Sequence, residues 1–199
     1  MKKEKTTHII CILDRSGSMR PLAVEVINSF NQFITDQKKI EGKAKVTLAI
    51  FDDHYDIIHD CVPLEEVSEL TEEVYWTRGM TALNDAVGKT ISNLKSKKRA
   101  IVLIQTDGVE NASHEYSTAK IKEIINEQEK KGWKFIFLGA GIDAFAEGSK
   151  IGVNNDKTVN FTRDSDGFRK YSCALSASTT AYRDGGDVEA AIKDVELNG

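Results

Sequence analysis

The sequence predicts an α/β fold: a doubly wound, mostly parallel sheet with one antiparallel edge strand and helices on both faces. Three observations predict it. Apolar runs alternate with amphipathic runs along nearly the whole chain, the pattern of strands joined by crossover helices. IVLIQT (101–106) is apolar over most of its length, as a strand covered on both faces must be. FDDHYDIIHD (51–60) has a tight polar DDH turn between two apolar runs, which marks an antiparallel hairpin.

The elements follow in order. THIICILD (7–14) reads as a buried strand. PLAVEVINSFNQFITDQ (21–37) repeats Leu22, Val26, Phe30, Phe33 and Ile34 at helical spacing, with Pro21 at a tolerated first-turn position. KAKVTLAIFDD and YDIIHDCVPL are the hairpin strands. TALNDAVGKTISNLK (81–95) is a helix, KRAIVLIQTDG a central strand, and SHEYSTAKIKEIINEQEKKG (113–132) a helix closed by Gly132. WKFIFLGAG is a strand, DAFAEGSKIG a short helix, DKTVNF a last strand and SDGFRKYSCALSASTTAYR a long helix. The end, DGGDVEAAIKDVELNG, is expected to add a short helix or fray. No linker or internal repeat interrupts residues 1–199, so one domain is expected.

Composition excludes several function classes. The net charge is -4, and nonspecific nucleic-acid binding needs a surplus of Lys and Arg. KSKKR (95–99) is one basic run, placed where a helix C-terminus favours cations. Cys11, Cys61 and Cys173 are odd in number and widely spaced, which indicates neither a disulfide framework nor a zinc cluster and fits a reducing compartment. The opening MKKEKTTHIICILD has a basic start, but its apolar run stops at Asp14, too short for a signal peptide or a membrane span. A cytoplasmic protein with no membrane partner is expected.

In a doubly wound sheet, ligands bind outside the carboxyl ends of the strands, where strand order reverses. The polar residues at those ends are therefore informative. Asp14, Ser16 and Ser18 follow the first strand, Asp107 follows IVLIQT, and Thr81 precedes the second helix. All five converge if the first strand and IVLIQT are neighbours. The donors are hard oxygens without thiolate or imidazole, which selects Mg²⁺, Mn²⁺ or Ca²⁺. Two carboxylates neutralise a divalent ion. If they bind through water and the hydroxyls bind directly, the ion retains Lewis acidity for an anionic oxygen from elsewhere.

DRSGS (14–18), Thr81 in RGMTALNDA and Asp107 in QTDG resemble the von Willebrand factor type A (vWA) domain and its metal-ion-dependent adhesion site (MIDAS), in its small stand-alone bacterial and phage form. The family pattern is D-x-S-x-S, a distant Thr and a distant Asp. The resemblance implies direct ligation by Ser16 and Ser18, direct or water-mediated ligation by Thr81, and mainly water-mediated roles for Asp14 and Asp107. It also implies a protein partner offering an Asp or Glu. Arg15, a bulky charge inside the motif, is expected to point away.

Other readings are open for each motif. Ser16, Ser18 and Thr81 are also good helix caps. Asp85 is expected to steady its loop. GAGIDA (139–144) mimics a dinucleotide fingerprint, but a tight strand–helix turn is expected. FDDHYDIIHD is expected to be a solvated hairpin rather than a second metal site. In TEEVYWTRGM (71–80), Tyr75, Trp76 and Arg78 are residue types enriched at binding hot spots, so they are candidate partner contacts. The leading function is a non-enzymatic, divalent-metal-dependent protein-binding module. The alternatives are a Mg²⁺-dependent hydrolase or phosphotransferase using Asp14 or a nearby Ser, and a structural subunit.

Overall fold

The computed structural model describes residues 6–94 and 99–198. The basic start (1–5) and most of the KSKKR run (95–98) lie outside the described residues.

Six strands form one sheet: β1 (Thr7–Asp14), β2 (Ala44–Phe51), β3 (Tyr55–Pro63), β4 (Ala100–Thr106), β5 (Lys134–Ala140) and β6 (Thr158–Phe161). Their order is β3-β2-β1-β4-β5-β6. Only the β2–β3 pair is antiparallel; the other four pairs are parallel. The helices are α1 (Ala23–Lys38), α2 (Leu83–Asn93), α3 (Thr118–Glu129), α4 (Ala144–Ile151), α5 (Ser165–Asp184) and α6 (Val188–Asn198). No helix among the described residues is long and apolar enough to cross a membrane.

β1 lies inside the sheet, so both of its faces must be apolar. Ile9, Cys11 and Leu13 enter one core with residues of α1, α5 and α6, while Ile10 and Ile12 enter the other with residues of α2, α3 and α4. β4 alternates likewise: Ile101 and Leu103 on one side, Val102 and Ile104 on the other. The five apolar positions expected on the first helix are all buried. β3 is an edge strand with a largely exposed outer row. Its ladder is irregular around Leu48, where Cys61 takes a positive φ of 57°, a β-bulge that makes an edge a poorer template for another strand.

Two helix starts differ from expectation. A 3-10 turn (Gly17–Leu22) precedes α1, and Pro21 lies inside it. α3 begins at Thr118, not Ser113, with Ser117 as its N-cap accepting from Lys120 N. GAGIDA forms the expected tight turn. A Cβ on Gly139 would lie 2.5 Å from Ala144 Cβ, and Gly141 has φ +64°. The Asp143 side chain accepts from Ala146 N, so a carboxylate stands where a dinucleotide's pyrophosphate would need a free helix N-terminus.

The strand order places the reversal at β1 and β4. From β1 the chain runs outward to β2 and β3, then returns to β4 on the other side. Asp14 and Asp107 therefore end up on adjacent strand ends.

At the opposite end of β1, His8 is 4% exposed and its Nε2 lies 2.8 Å from Thr47 Oγ1. Burial, with help from Lys45, pushes its pKa down to about 4. The unfolded chain titrates near 6.5, so acid protonates the unfolded state first. This contribution is intact above pH 6.5 and lost as pH falls toward 4. Between pH 7 and pH 5 it removes about 2 kcal/mol. The stability of His8→Gln relative to wild type, measured by urea unfolding, should therefore rise by about 2 kcal/mol over that interval; a pH-independent difference contradicts the assignment.

Candidate metal centre

Asp14 closes β1 and is 0% exposed. Its Oδ1 accepts from Ser16 N at 2.6 Å and its Oδ2 from Thr106 Oγ1 at 2.5 Å. Burial pushes its pKa up to about 6 against these hydrogen bonds, which lower it. An ionised carboxylate in such a dry position calls for a cation.

Asp107 lies beside it, past the end of β4, and is also buried. Ser18 Oγ donates to its Oδ1 at 2.5 Å, and Ser16 Oγ is 3.2 Å from Ser18 Oγ. The other oxygen, Oδ2, stands 2.9 Å from Arg163 Nη2. The same nitrogen donates to the Asp107 carbonyl oxygen at 3.0 Å, and Oδ2 is buried.

Thr81 reaches the same place from the loop before α2. A Cβ on Gly108 would lie 2.7 Å from Thr81 Oγ1, so only glycine after Asp107 lets the hydroxyl come this close. Gly17 N donates to Gly79 O at 3.1 Å and ties this loop to the DRSGS turn. The structure thus brings Asp14, Ser16, Ser18, Thr81 and Asp107 to one end of the sheet.

Capping does not account for the hydroxyls. Ser16 precedes the 3-10 turn but makes no side-chain cap bond, and Ala82, not Thr81, is the N-cap residue of α2. The first N–H groups of α2 are satisfied from the next loop: Asn84 N by Glu110 Oε2 and Asp85 N by Ser113 Oγ. Thr81 itself is held by its backbone, through a reciprocal pair with Asn111. The serine and threonine hydroxyls and the two carboxylates form an all-oxygen set, which fits a hard divalent cation.

Arg15 points away from this set, as expected. It is buried against Asp52 (Nε to Oδ2, 3.0 Å) and also pairs with Asp56. Arg78 reaches the same Asp52 oxygen at 2.7 Å. Asp52, Asp53 and His54 bring ligand atoms within 4.8 Å of one another. Asp52 Oδ2 nevertheless holds two guanidinium groups while Oδ1 accepts from His54 N. Asp52 is thus a buried structural hub, while Asp53, His54 and Asp56 are exposed, as expected of a solvated hairpin.

One candidate partner contact is corrected. Tyr75 is 1% exposed and donates its hydroxyl to the Asp14 carbonyl. Buried under the loop, it cannot face a partner. Trp76 is 46% exposed, with the Arg78 guanidinium 4.5 Å and the Arg15 guanidinium 5.5 Å from its ring centre, both within cation–π range.

Sequence reasoning passed over Thr106, Glu110 and Asn111. Thr106 looks like strand and Glu110 and Asn111 like loop; their roles depend on contacts distant in sequence. Asp85 supports its loop, as expected. It accepts from His114, Glu115 and Tyr116 N at 2.8 to 2.9 Å. Burial alone would raise its pKa, but these three bonds hold it below the ordinary carboxylate range. Asp85→Ala should cost roughly 3 kcal/mol in chemical denaturation, since it orphans three N–H groups. A change under about 0.5 kcal/mol, the size of an ordinary surface substitution, is incompatible with this role.

No curated protein matches the chain. Solved structures match well. Proximal thread matrix protein 1 from the mussel byssus, with a zinc-occupied MIDAS motif, aligns at TM-score 0.60 and 16% identity over 95% of this chain and 46% of that one. This chain therefore spans about half of that protein's length. Manganese-loaded TRAP protein from Plasmodium vivax aligns at 0.54 and 15%, over 79% of this chain and 68% of that one. The vWF domain of the type V pili tip protein Mfa5 from Porphyromonas gingivalis aligns at 0.59 and 10%, over 99% and 98%. At these identities the likeness establishes the fold. The family model described as VWA domain containing CoxE-like protein matches residues 1–138, more than half of the sequence, and the chain belongs to that family.

Proposed function

We propose that this chain is a divalent-metal-dependent protein-binding module. The observation that carries the reading is the convergence of Asp14, Ser16, Ser18, Thr81 and Asp107 as an all-oxygen set at the end of β1 and β4. Ser16, Ser18 and Thr81 would offer hydroxyls to the ion, while Asp14 and Asp107 balance its charge. A bound ion supplies Lewis acidity for one anionic oxygen, here an Asp or Glu of the partner. Mg²⁺ is the proposed ion; zinc and manganese in two structural neighbours support a divalent occupant.

The chain's own residues shape the docking rim. Trp76 presents a ring held by two arginines. Met80 and Val109, which adjoin Thr81 and Gly108 in sequence, are exposed as well. Apolar side chains around a charged centre exclude water from it, which strengthens the contact at its middle. We further propose that residues 1–199 act as one domain in a reducing, cytoplasmic compartment. Cys11, Cys61 and Cys173 are all free thiols.

The hydrolase reading has less support. Asp14 has no exposed surface and both its oxygens accept hydrogen bonds, so it is poorly placed for attack on a substrate. Ser18 bonds a carboxylate, not an imidazole. His8 lies at the far end of β1, and His59 lies within β3.

Calorimetry with Mg²⁺ and Mn²⁺ should show one site in wild type and none in Asp14→Ala or Asp107→Ala. Failure of wild type to bind either ion rejects the metal centre. In an affinity capture with Mg²⁺ against chelator, Trp76→Ala should weaken metal-dependent binding at least tenfold, about 1.4 kcal/mol, with metal affinity retained. Equal capture in chelator rejects metal-mediated docking.

A further inference from the structure

The candidate centre has a cation of its own. Arg163 follows β6 and reaches across the ends of β5 and β4. Its Nε lies 3.4 Å from Ala140 O, and its Nη2 donates to Asp107 O at 3.0 Å. The same Nη2 stands 2.9 Å from Asp107 Oδ2. Room for the side chain comes from Gly141: a Cβ there would lie 2.9 Å from Arg163 Nε, and its φ of +64° suits glycine. The guanidinium is thus seated on three strand ends, yet the side chain remains 42% exposed and open to an incoming ligand.

Its charge changes what the centre can hold. Asp14 and Asp107 contribute two negative charges. With Arg163 the empty centre has a net charge of minus one, and a divalent ion brings it to plus one. Without Arg163 the loaded centre is neutral and has weaker demand for an anion. Like charges a few ångströms apart repel strongly near a protein surface, so the arginine also opposes the metal. We propose that Arg163 makes the metal-loaded centre an acceptor of a monoanionic carboxylate while weakening its hold on the metal itself. This rests on the reading of the site as a divalent-cation centre.

The test measures two affinities in the full chain. Mn²⁺ binding is followed by calorimetry. Acetate, as the carboxylate probe, is then titrated into Mn²⁺-saturated protein and followed by water-proton relaxation. Arg163→Gln should bind Mn²⁺ about tenfold more tightly and acetate about tenfold more weakly. Arg163→Lys keeps the charge and should stay near wild type in both. A side chain that merely braces the loop would weaken both affinities together in the Gln variant, and that result overturns the proposal. So does either affinity remaining unchanged in Arg163→Gln while wild type binds Mn²⁺, an outcome that leaves the metal centre standing. Absence of Mn²⁺ binding by wild type removes the metal centre and this inference together.

Discussion

A carboxylate with no exposure to water is the constraint around which the upper end of this molecule is organised. Asp14 ends an interior strand, so its position is set by the apolar residues that bury β1 on both faces. The chain responds with a hydroxyl from the neighbouring strand (Thr106), a backbone N–H two residues on (Ser16) and a phenol on its carbonyl (Tyr75). These contacts give each carboxylate oxygen one donor but leave its charge to be balanced, and burial keeps its pKa near 6. Solvating an ion and neutralising it are separate demands, and a cation at this point meets the second.

The loops around Asp14 are held by the same chemistry turned outward. Asp85 gathers three N–H groups of residues 114–116, and Glu110 gathers those of Asn84, Ala112 and Ser113. Asp52 gathers two arginines. Asp85 and Glu110 supply acceptors to backbone N–H groups that regular secondary structure leaves without partners, and Asp52 ties two loop arginines together. Irregular loops at a sheet's carboxyl end become rigid in this way, and a rigid rim is what a small oxygen site needs to hold its donors in register.

The electrostatics divide along the same line. Arg15 and Arg78 are neutralised by Asp52 and Asp56 and lie against Trp76, so they shape the rim more than they charge the centre. Arg163 faces Asp107, which also borders the proposed ion position. The Arg15–Arg78 pair and the single Arg163 thus have different electrostatic consequences, decided by which acid each one meets.

The succession of strands and helices and the motif's residue types were legible in the sequence because they depend on local pattern, whereas the adjacency of β1 and β4 came only with the fold. Uninterrupted apolar strands, a polar hairpin turn and helical spacing are all read within about twenty residues, and D-x-S-x-S with its distant Thr and Asp is a pattern of residue types. What the sequence left open depends on contacts between distant segments. Tyr75 and Trp76 are adjacent and alike in type, yet one is buried under Asp14 and the other faces outward. Residues 113–116 look helical, but Ser113 N goes to Glu110, the N–H groups of His114, Glu115 and Tyr116 go to Asp85, and α3 starts only at Thr118. Arg163 lies 56 residues from Asp107, and only the folding of β6 beside β5 brings its charge to the centre. Local pattern determines which elements form, whereas the sign and strength of the field at their ends is a sum over side chains that only the folded chain assembles.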